Sequence, residues 1–319
     1  MCNSYENIEP FIQKIEHSQN IVIAGHTSPD GDAISAALAL AMTLKKMDKK
    51  PIVLLEKTGD VFSYIKGYEE IYTQDYNNIK DVDLFISVDC GDIERLGEAK
   101  KVFEKAKYTV NIDHHVSNNN FGDLNIVNIK SSSTSEIIFE ISNHIGAIDL
   151  DIATAIYTGI VFDSGGFKFN CTTKRTHQIA GELVEIGVDT HTIHSIILSL
   201  HTIENSRLLA KAIENIYIEN DIAVSTLSKE EIEKCNATSK DTGNIVQYLL
   251  DTKNINVSVF IYEKEDNILK VSFRSKTIDV NKIANTFGGG GHILASGATI
   301  TNMKLEQAKE DILQKIRNV

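Results

Sequence analysis

The sequence predicts an α/β protein in which a mostly parallel, doubly wound sheet is followed by a smaller α+β domain. In the first half of the chain, short runs rich in Ile and Val alternate with longer segments of helical periodicity, which is typical of βαβ units. After about residue 188 the pattern changes to a helical stretch and then to a mixture of strands and helices. A chain of 319 residues also exceeds the usual size of one hydrophobic core, so two domains are expected.

The elements of the first domain can be placed from these runs. Strands are expected at residues 21–25, 51–55, 84–89 and 109–113, and helices at residues 33–46, 135–145 and 173–187. Ser133 and Glu136 have the spacing of a capping box at the start of the second helix, and Gly187 is suited to end the third. Ligands of such sheets bind beyond the carboxyl ends of the strands. Each polar cluster considered below follows an apolar run and is expected at such an end.

We assign residues 1–190 to the first domain, residues 191–207 to a helical connector and residues 208–319 to the second domain. The second domain is expected to contain strands at 222–227, 257–262 and 269–273, a helix through Ile283, a glycine run at 288–291 and a closing helix from about residue 305. In the connector, His191 and His194 are spaced for one helix face. Since no carboxylates match them, we interpret both as packing residues rather than metal ligands.

The composition excludes several classes of protein. A formal charge of -12 argues against a broad basic face that binds long nucleic acid, because that mode requires many Lys and Arg to neutralise phosphates. A small anionic substrate is compatible with this charge. The four cysteines form no CxxC pair, so we expect neither a zinc ribbon nor a disulfide framework, and a reducing cytoplasm is favoured. The polar residues 1–11 and the shortness of the apolar runs indicate neither export nor a membrane span.

The first polar cluster contains His26, Asp30 and Asp32, directly after the first expected strand. Pro29 and Gly31 favour a tight, non-helical path, so one imidazole and two carboxylates can converge on a divalent cation. The alternative is a simple turn at Asp30, with Asp32 as the N-cap of the following helix. The cluster alone supports both interpretations about equally.

The second cluster begins with Asp89, which ends a run that is expected to be buried. A buried carboxylate needs a cation or hydrogen-bond donors to remain charged, so Asp89 is a candidate metal ligand. Cys90 is expected to point to the opposite face, where it packs. Asp92 is interpreted as a loop or cap residue.

The third and fourth clusters add two imidazoles and two carboxylates. Asp113, His114 and His115 end another strand. Adjacent histidines at a strand end point in different directions, so one can bind a metal while its neighbour faces substrate, and Asp113 can orient one of the rings. Asp163 follows the apolar run 155–162 and is weak evidence by itself. It gains weight because the other clusters need another ligand.

The second domain contains a glycine run followed by histidine and, upstream, an arginine. Four glycines let backbone N–H groups approach a phosphate closely, and Arg274 can donate two parallel hydrogen bonds to its oxygens. The alternative for the glycines is a flexible loop. No strand is expected before them and the GK[ST] ending is missing, so neither a dinucleotide-binding fold nor a P-loop is supported. The residues concerned are Gly288, Gly289, Gly290, Gly291 and His292.

Taken in order, these motifs resemble the DHH phosphoesterase superfamily over almost the whole chain. The motifs are HxxPDGDA, VDCGD, DHH, FDSGGF and GGGGHxxASG. The combination resembles most the nanoRNases and 3'-phosphoadenosine 5'-phosphate phosphatases, in which a DHH domain precedes a DHH-associated domain. The resemblance implies an active site in the cleft between the two domains.

The resemblance also implies the roles of individual residues. One metal is expected on His26, Asp30 and Asp89, and the other on Asp32, Asp89, His114 and Asp163, so that Asp89 bridges the pair. His115 is expected to face the scissile phosphate, and the catalytic residues are His115, Asp89 and Asp113. The glycine run, Arg274 and His292 are expected to recognise a second phosphate of the nucleotide.

The donor set indicates which cations to expect. Carboxylate and imidazole without thiolate suit two divalent ions, with Mn²⁺ favoured by the His content and Mg²⁺ or Co²⁺ as alternatives. Two such ions can activate water and bind the phosphoryl oxygens during in-line displacement. No covalent nucleophile is needed.

The expected activity is hydrolysis of very short RNA and of 3'-phosphoadenosine 5'-phosphate, with linear di-adenylate as a further candidate substrate. A RecJ-like single-strand exonuclease is an alternative, but it needs a basic groove with stacking aromatics, whereas this chain is acidic and lacks Trp. A family II inorganic pyrophosphatase shares the metal motifs but has a different second domain. A nucleotide-sensing binding protein is expected to lack at least one ligand. We expect a cytoplasmic monomer or homodimer that binds neither long duplex nucleic acid nor membranes.

Overall fold

The computed structural model describes residues 7–56, 59–199 and 202–318. Residues 1–6 of the polar N-terminus and residues 200–201 of the predicted connector lie outside this part. The chain divides into two compact units, Met1–Leu200 and His201–Val319. Among the described residues, no helix combines the length and apolar character that are required to cross a bilayer.

The first unit is built on a five-stranded parallel sheet, as predicted. Its strands are β1 Ile21–Ala24, β2 Ile52–Leu54, β3 Leu84–Val88, β4 Thr109–Asp113 and β5 Leu124–Val127. The strand order is β2-β1-β3-β4-β5. Strands β1 and β3 are buried along their whole length, which explains why both are uninterrupted apolar runs. The edge strand β5 was not predicted, because only one of its four residues is fully buried and its sequence lacks a clear apolar run.

Helices cover this sheet. They are α1 Ile8–His17, α2 Gly31–Lys46, α3 Lys100–Phe103, α4 Thr134–Ile145, α5 Leu150–Ser164, α6 Lys174–Ile186 and α7 Thr190–His194. Helix α2 is apolar on every side because it packs against both α4 and α5, and residues 31–44 of it are buried. Helix α6 ends at Gly187, which has a left-handed backbone, as predicted. A π-helical turn, Ser195–Ser199, follows α7.

The predicted capping box of α4 forms only in part. Ser133 accepts a hydrogen bond from the backbone N–H of Glu136 at 3.1 Å. The Glu136 carboxylate does not return to the N-cap, since it accepts hydrogen bonds from the Ser132 hydroxyl and the Thr176 hydroxyl, both at 2.8 Å. This carboxylate therefore ties the start of α4 to α6.

The second unit is a mixed six-stranded sheet with helices on both faces. Its helices are α8 Ile203–Glu214, α9 Lys229–Lys234, α10 Ile245–Leu250, α11 Val280–Asn285 and α12 Leu305–Arg317. Its strands are β6 Tyr217–Glu219, β7 Ile222–Leu227, β8 Val257–Glu265, β9 Ile268–Ser275, β10 Gly290–His292 and β11 Ala295–Thr301, in the order β10-β11-β9-β8-β7-β6. Only β7 and β8 are parallel.

The glycine run differs from the flexible loop that was the alternative interpretation. Gly290 and Gly291 belong to β10, which pairs with β11 in an antiparallel hairpin. Strand β11 was not predicted because it contains Ser, Gly and Ala where a strand is usually rich in branched residues. Only Gly288 and Gly289 precede the hairpin.

Candidate metal centre

The predicted ligands meet at the carboxyl edge of the parallel sheet. The chain leaves β1 to form β2 on one side and β3 on the other, so the strand order reverses between β1 and β3. His26 follows β1 and Asp89 follows β3, and both therefore lie at this switch point. Crevices at such points are the usual ligand sites of doubly wound sheets.

One group of ligand atoms consists of His26, Asp30 and Asp89, within 4.8 Å of one another. His26 Nε2 lies 3.9 Å from Asp30 Oδ2 and 3.7 Å from Asp89 Oδ2. His26 Nδ1 lies 2.8 Å from the carbonyl oxygen of Thr27, which leaves Nε2 to face the carboxylates. Burial lowers the pKa of His26 and so favours the neutral imidazole that a metal requires.

Asp30 is also the N-cap of α2. Its Oδ1 accepts hydrogen bonds from the backbone N–H groups of Asp32 and Ala33 at 3.0 and 3.1 Å. Asp30 Oδ2 faces His26, so the cap and the candidate ligand use different oxygens. The alternative in which Asp32 is the N-cap is wrong, because Asp32 lies inside the first turn of α2.

A second group consists of Asp32, His114 and Asp163, also within 4.8 Å of one another. His114 Nε2 lies 3.1 Å from Asp163 Oδ2. Asp163 lies in the last turn of α5 and not at a strand end, because the apolar run before it is helical. Burial lowers the pKa of His114, but the hydrogen bond and charge of Asp163 outweigh burial and raise that pKa to about 10.

Asp89 lies between the two groups. Its Oδ2 faces His26 at 3.7 Å and its Oδ1 faces His114 at 3.5 Å. The residue has a left-handed backbone with φ of 53°, which an Asp tolerates better than most residues. The Thr134 hydroxyl donates to Asp89 Oδ1 at 3.0 Å. The carboxylate is thus oriented so that each oxygen points to one group.

The start of α4 holds Asp32 in place, which was not predicted. Asp32 is fully buried and accepts hydrogen bonds from the backbone N–H groups of Thr134 and Ser135, at 2.6 and 3.0 Å. A helix N-terminus favours a negative charge at this position. At Gly159, a Cβ would lie 2.0 Å from Ser135 Oγ and 2.5 Å from Asp32 Oδ1, so only glycine fits there. The available signal was the segment 133–136, which was interpreted as a helix cap alone.

His115 is held by Asp113. Its Nδ1 lies 2.7 Å from Asp113 Oδ1, and Asn118 donates to Asp113 Oδ2 at 2.6 Å. Burial raises the pKa of Asp113, but the hydrogen bond and charge of His115 outweigh burial and hold that pKa below its usual range. His115 also forms a third group with Asp89 and His114.

The electrostatics of the centre favour a bound cation. Burial raises the pKa of Asp32, Asp89 and Asp163 to about 7 each, and neighbouring carboxylates add to the shift. Carboxylates that are crowded together in a low dielectric become ionised at little cost only when a cation compensates them. The donors are carboxylate oxygens and imidazole nitrogens, which fit Mg²⁺ or Mn²⁺. Cys90 is buried in a separate apolar cluster, and burial raises the pKa of its thiol to about 12, in line with the predicted packing role.

Both histidines of the predicted connector were expected to pack, and only one of them does. His194 packs as predicted, with its ring stacked on Phe167 and its Nε2 3.2 Å from the Tyr157 hydroxyl. His191 is exposed and therefore has no packing role. Neither belongs to a group of potential metal ligands among the described residues.

In the second unit, the predicted phosphate-binding residues are only partly together. Arg274, Gly288 and Gly289 line a cavity of about 580 Å³ on one face of the sheet, together with Lys270. Burial lowers the pKa of Arg274. The other three residues, Gly290, Gly291 and His292, are exposed and form β10 instead of lining this cavity.

Comparisons with known proteins agree with this architecture. Residues 20–160 match the DHH family, N-terminal domain, and residues 219–319 match the DHHA1 domain. The chain is 30% identical over 312 residues to the probable bifunctional oligoribonuclease and PAP phosphatase NrnA of Streptococcus mutans, with 97% of each chain covered. It is 29% identical to the bifunctional oligoribonuclease and PAP phosphatase NrnA of Bacillus subtilis, over 91% of this chain and 92% of that one.

Solved structures give the same result. An exopolyphosphatase-related protein from Bacteroides fragilis is 29% identical and superimposes with a TM-score of 0.89, over 97% of this chain and 96% of that one. Exonuclease RecJ bound to manganese shares the fold, with 12% identity and a TM-score of 0.57 over 96% of this chain and 93% of that one. The chain therefore belongs to the DHH family and has a DHHA1 domain as its second part.

Proposed function

We propose that the protein is a metal-dependent phosphoesterase that hydrolyses short oligoribonucleotides and 3'-phosphoadenosine 5'-phosphate (PAP). The observation that supports this most is the position of Asp89 between two groups of potential ligands, with Oδ2 3.7 Å from His26 Nε2 and Oδ1 3.5 Å from His114 Nε2. The curated relatives, which the chain matches over nearly their full length, are named for these two activities. The full set of predicted ligands argues against a nucleotide sensor that lacks catalysis.

The proposed ligands form two sets. His26, Asp30 and Asp89 would bind one divalent ion, and Asp32, Asp89, His114 and Asp163 would bind the other. Mn²⁺ is proposed ahead of Mg²⁺ or Co²⁺ because each set contains an imidazole. When bound, such a pair of ions lowers the pKa of water and neutralises the charge of the phosphoryl oxygens.

The chain's own residues have supporting roles in this proposal. Asp113 fixes the ring of His115 through the 2.7 Å hydrogen bond to Nδ1, so that Nε2 is the atom presented to the phosphate. The N-terminus of α4 fixes the position of the Asp32 carboxyl group by two backbone hydrogen bonds. No serine, threonine or cysteine is assigned as a nucleophile, because the reaction proceeds by direct attack of water.

We propose that substrate binding is the task of residues 208–319 and catalysis that of residues 1–190. Arg274 lies in a cavity with Gly288 and Gly289, where a phosphate can reach both a guanidinium and bare backbone. Gly290, Gly291 and His292 remain proposed contacts, which the substrate would meet at the exposed hairpin. The three described cysteines are free thiols, which fits the proposed cytoplasmic location.

A side-by-side assay with Mn²⁺ tests this function. The substrates are PAP, a short RNA, linear di-adenylate, long single-stranded DNA and pyrophosphate. We expect turnover of PAP and short RNA, and little turnover of long DNA or pyrophosphate. Turnover of pyrophosphate alone would overturn the substrate assignment, and preferred degradation of long DNA would favour a RecJ-like exonuclease.

A further inference from the structure

A cavity of about 430 Å³ lies in the first unit and shares His26 with the metal centre. We propose that this cavity binds the nucleobase of the nucleotide whose phosphate lies at the metal centre. The inference rests on the proposed function and extends it, since it adds recognition of the base by the first unit to the phosphate binding proposed for residues 208–319. The residues that line the cavity come from the ends of β1 and β2, from the loop 73–76 and from the segment 96–99.

Two contacts fix the walls of the cavity relative to each other. Thr27 donates its backbone N–H to the carbonyl oxygen of Arg95 at 2.7 Å, which ties the loop after β1 to the segment that forms the opposite wall. Gly97 has a φ of 55°, and a Cβ there would lie 2.3 Å from Thr27 Cγ2. Only glycine therefore allows the two walls to approach this closely.

The interior of the cavity suits a flat, partly apolar ring. Leu54, Leu96 and Ala99 are buried and contribute apolar surface. Tyr76 is half-buried and adds an aromatic side chain to the lining of the same cavity. Burial raises the pKa of Tyr76, and the nearby Glu56 carboxylate adds to the shift. Any nucleobase can stack on an aromatic side chain or pack against apolar side chains, because every base has a flat aromatic face.

The charges that line the cavity argue for a base and against a phosphate. Its charged groups are the carboxylates Glu56, Asp75 and Glu98, and none of the described residues that line it is Lys or Arg. Glu98 is paired with Lys101 at 2.6 Å. Carboxylates repel phosphate but accept hydrogen bonds from exocyclic amino groups. Adenine, guanine and cytosine have such groups, and uracil does not.

The cavity of the second unit has the opposite character. Arg274 and Lys270 lie on one face of β9 and both line it. An anion is favoured there and disfavoured at the cavity beside His26. The cavity beside His26 therefore suits a base, and the cavity in the second unit suits a phosphate.

The test is a comparison of two ligands that differ only in the base. Binding of AMP and of ribose 5-phosphate is measured by calorimetry with Mn²⁺ present, on the wild-type protein and on Thr73→Trp. Thr73 lines the cavity and is exposed, so a larger side chain there should obstruct the cavity without disturbing the packing of the hydrophobic core. Gln13→Trp is the matched control, because Gln13 is also exposed, on α1, and does not line the cavity.

We expect the wild-type protein to bind AMP about tenfold more tightly than ribose 5-phosphate, because stacking of the base adds to the binding free energy of AMP alone. Thr73→Trp should remove this difference by weakening AMP alone, and Gln13→Trp should preserve it. UMP should bind more weakly than AMP. Equal wild-type affinities for AMP and ribose 5-phosphate would overturn the inference, as would an equal loss for both ligands in Thr73→Trp. Calorimetry measures binding and does not depend on hydrolysis. A wrong assignment of the hydrolytic activity would therefore be detected in the substrate assay and not in this experiment.

Discussion

His115 Nδ1 lies 2.7 Å from the carboxylate of Asp113, which is the last residue of β4, two positions before His115. Asp113 is fully buried, and its second oxygen accepts a hydrogen bond from Asn118. This carboxylate therefore has two donors and is not available as a metal ligand. The role that we propose for it is to set the orientation and tautomer of the His115 ring.

The first prediction concerns this pair. Asp113→Asn should lower kcat by about 10- to 100-fold, because a neutral amide offers one acceptor oxygen where two donors now point. Metal content should remain that of the wild-type protein, since Asp113 is not a proposed ligand. Steady-state kinetics together with elemental analysis check both parts. An unchanged kcat would show that His115 needs no partner for catalysis.

The second prediction concerns Asp89. Asp89→Asn should abolish turnover and reduce bound metal, because this carboxylate faces both ligand groups. Asn is preferred to Ala as the test substitution, since the residue has a left-handed backbone that Asn tolerates. The fold should persist, and circular dichroism and thermal unfolding check this.

A matched control for that variant lies three residues further along the chain. Asp92 accepts a hydrogen bond from the backbone N–H of Glu94 at 2.8 Å and belongs to none of the ligand groups. Asp92→Asn makes the same chemical change and should leave metal binding intact. If both variants lose metal equally, the bridging role of Asp89 is wrong.

The third prediction is a pH dependence of metal binding. In the metal-free protein, burial raises the pKa of Asp32, Asp89 and Asp163 to about 7, and Asp163 raises the pKa of His114 to about 10. Below about pH 7 these carboxyls are protonated, so a cation has to displace their protons. Affinity for Mn²⁺ should therefore fall as the pH is lowered, by about tenfold per pH unit for each proton displaced.

Calorimetry in two buffers of different protonation enthalpy measures the number of protons released. At neutral pH we expect more than one proton per chain, because His114 also has to lose its proton before it binds a metal. Metal binding that is independent of pH and releases no proton would contradict the proposed ligand set.

The fourth prediction concerns the second unit. Arg274→Ala should raise the KM for PAP by about 10- to 100-fold, as expected for the loss of a charge-assisted hydrogen bond to a phosphate. Bound metal should not change. Arg207→Ala is the control, because Arg207 is exposed on α8 and does not line the cavity that contains Arg274. Loss of metal in Arg274→Ala would mean that the residue has been assigned the wrong role.

Much of the first unit could be predicted because its signals are local. Strands β1 and β3 are buried on both faces, so they read as unbroken apolar runs, and the turn residues Pro29 and Gly31 mark where β1 gives way to α2. His26 and Asp89 could be assigned to one site because parallel strands end at the same edge of a sheet. Asp163 was misplaced at a strand end, since an apolar run of eight residues does not distinguish a buried strand from a buried helix.

Other features could not be predicted because they depend on distant contacts. Asp32 is held by the N-terminus of α4, a hundred residues away in sequence, and this position depends on the absence of a side chain at Gly159. Such long-range relationships leave no periodic signal in the chain.

We propose that acidic and imidazole side chains from separate segments of the first unit bind two neighbouring divalent ions. Electron paramagnetic resonance during titration of the metal-free protein with Mn²⁺ counts these ions and reports whether they are neighbours. We expect two Mn²⁺ per chain and a spectrum of two magnetically coupled ions, since both are proposed to contact Asp89. Binding of a single Mn²⁺, or of two ions without coupling, would show that the proposed pair does not exist.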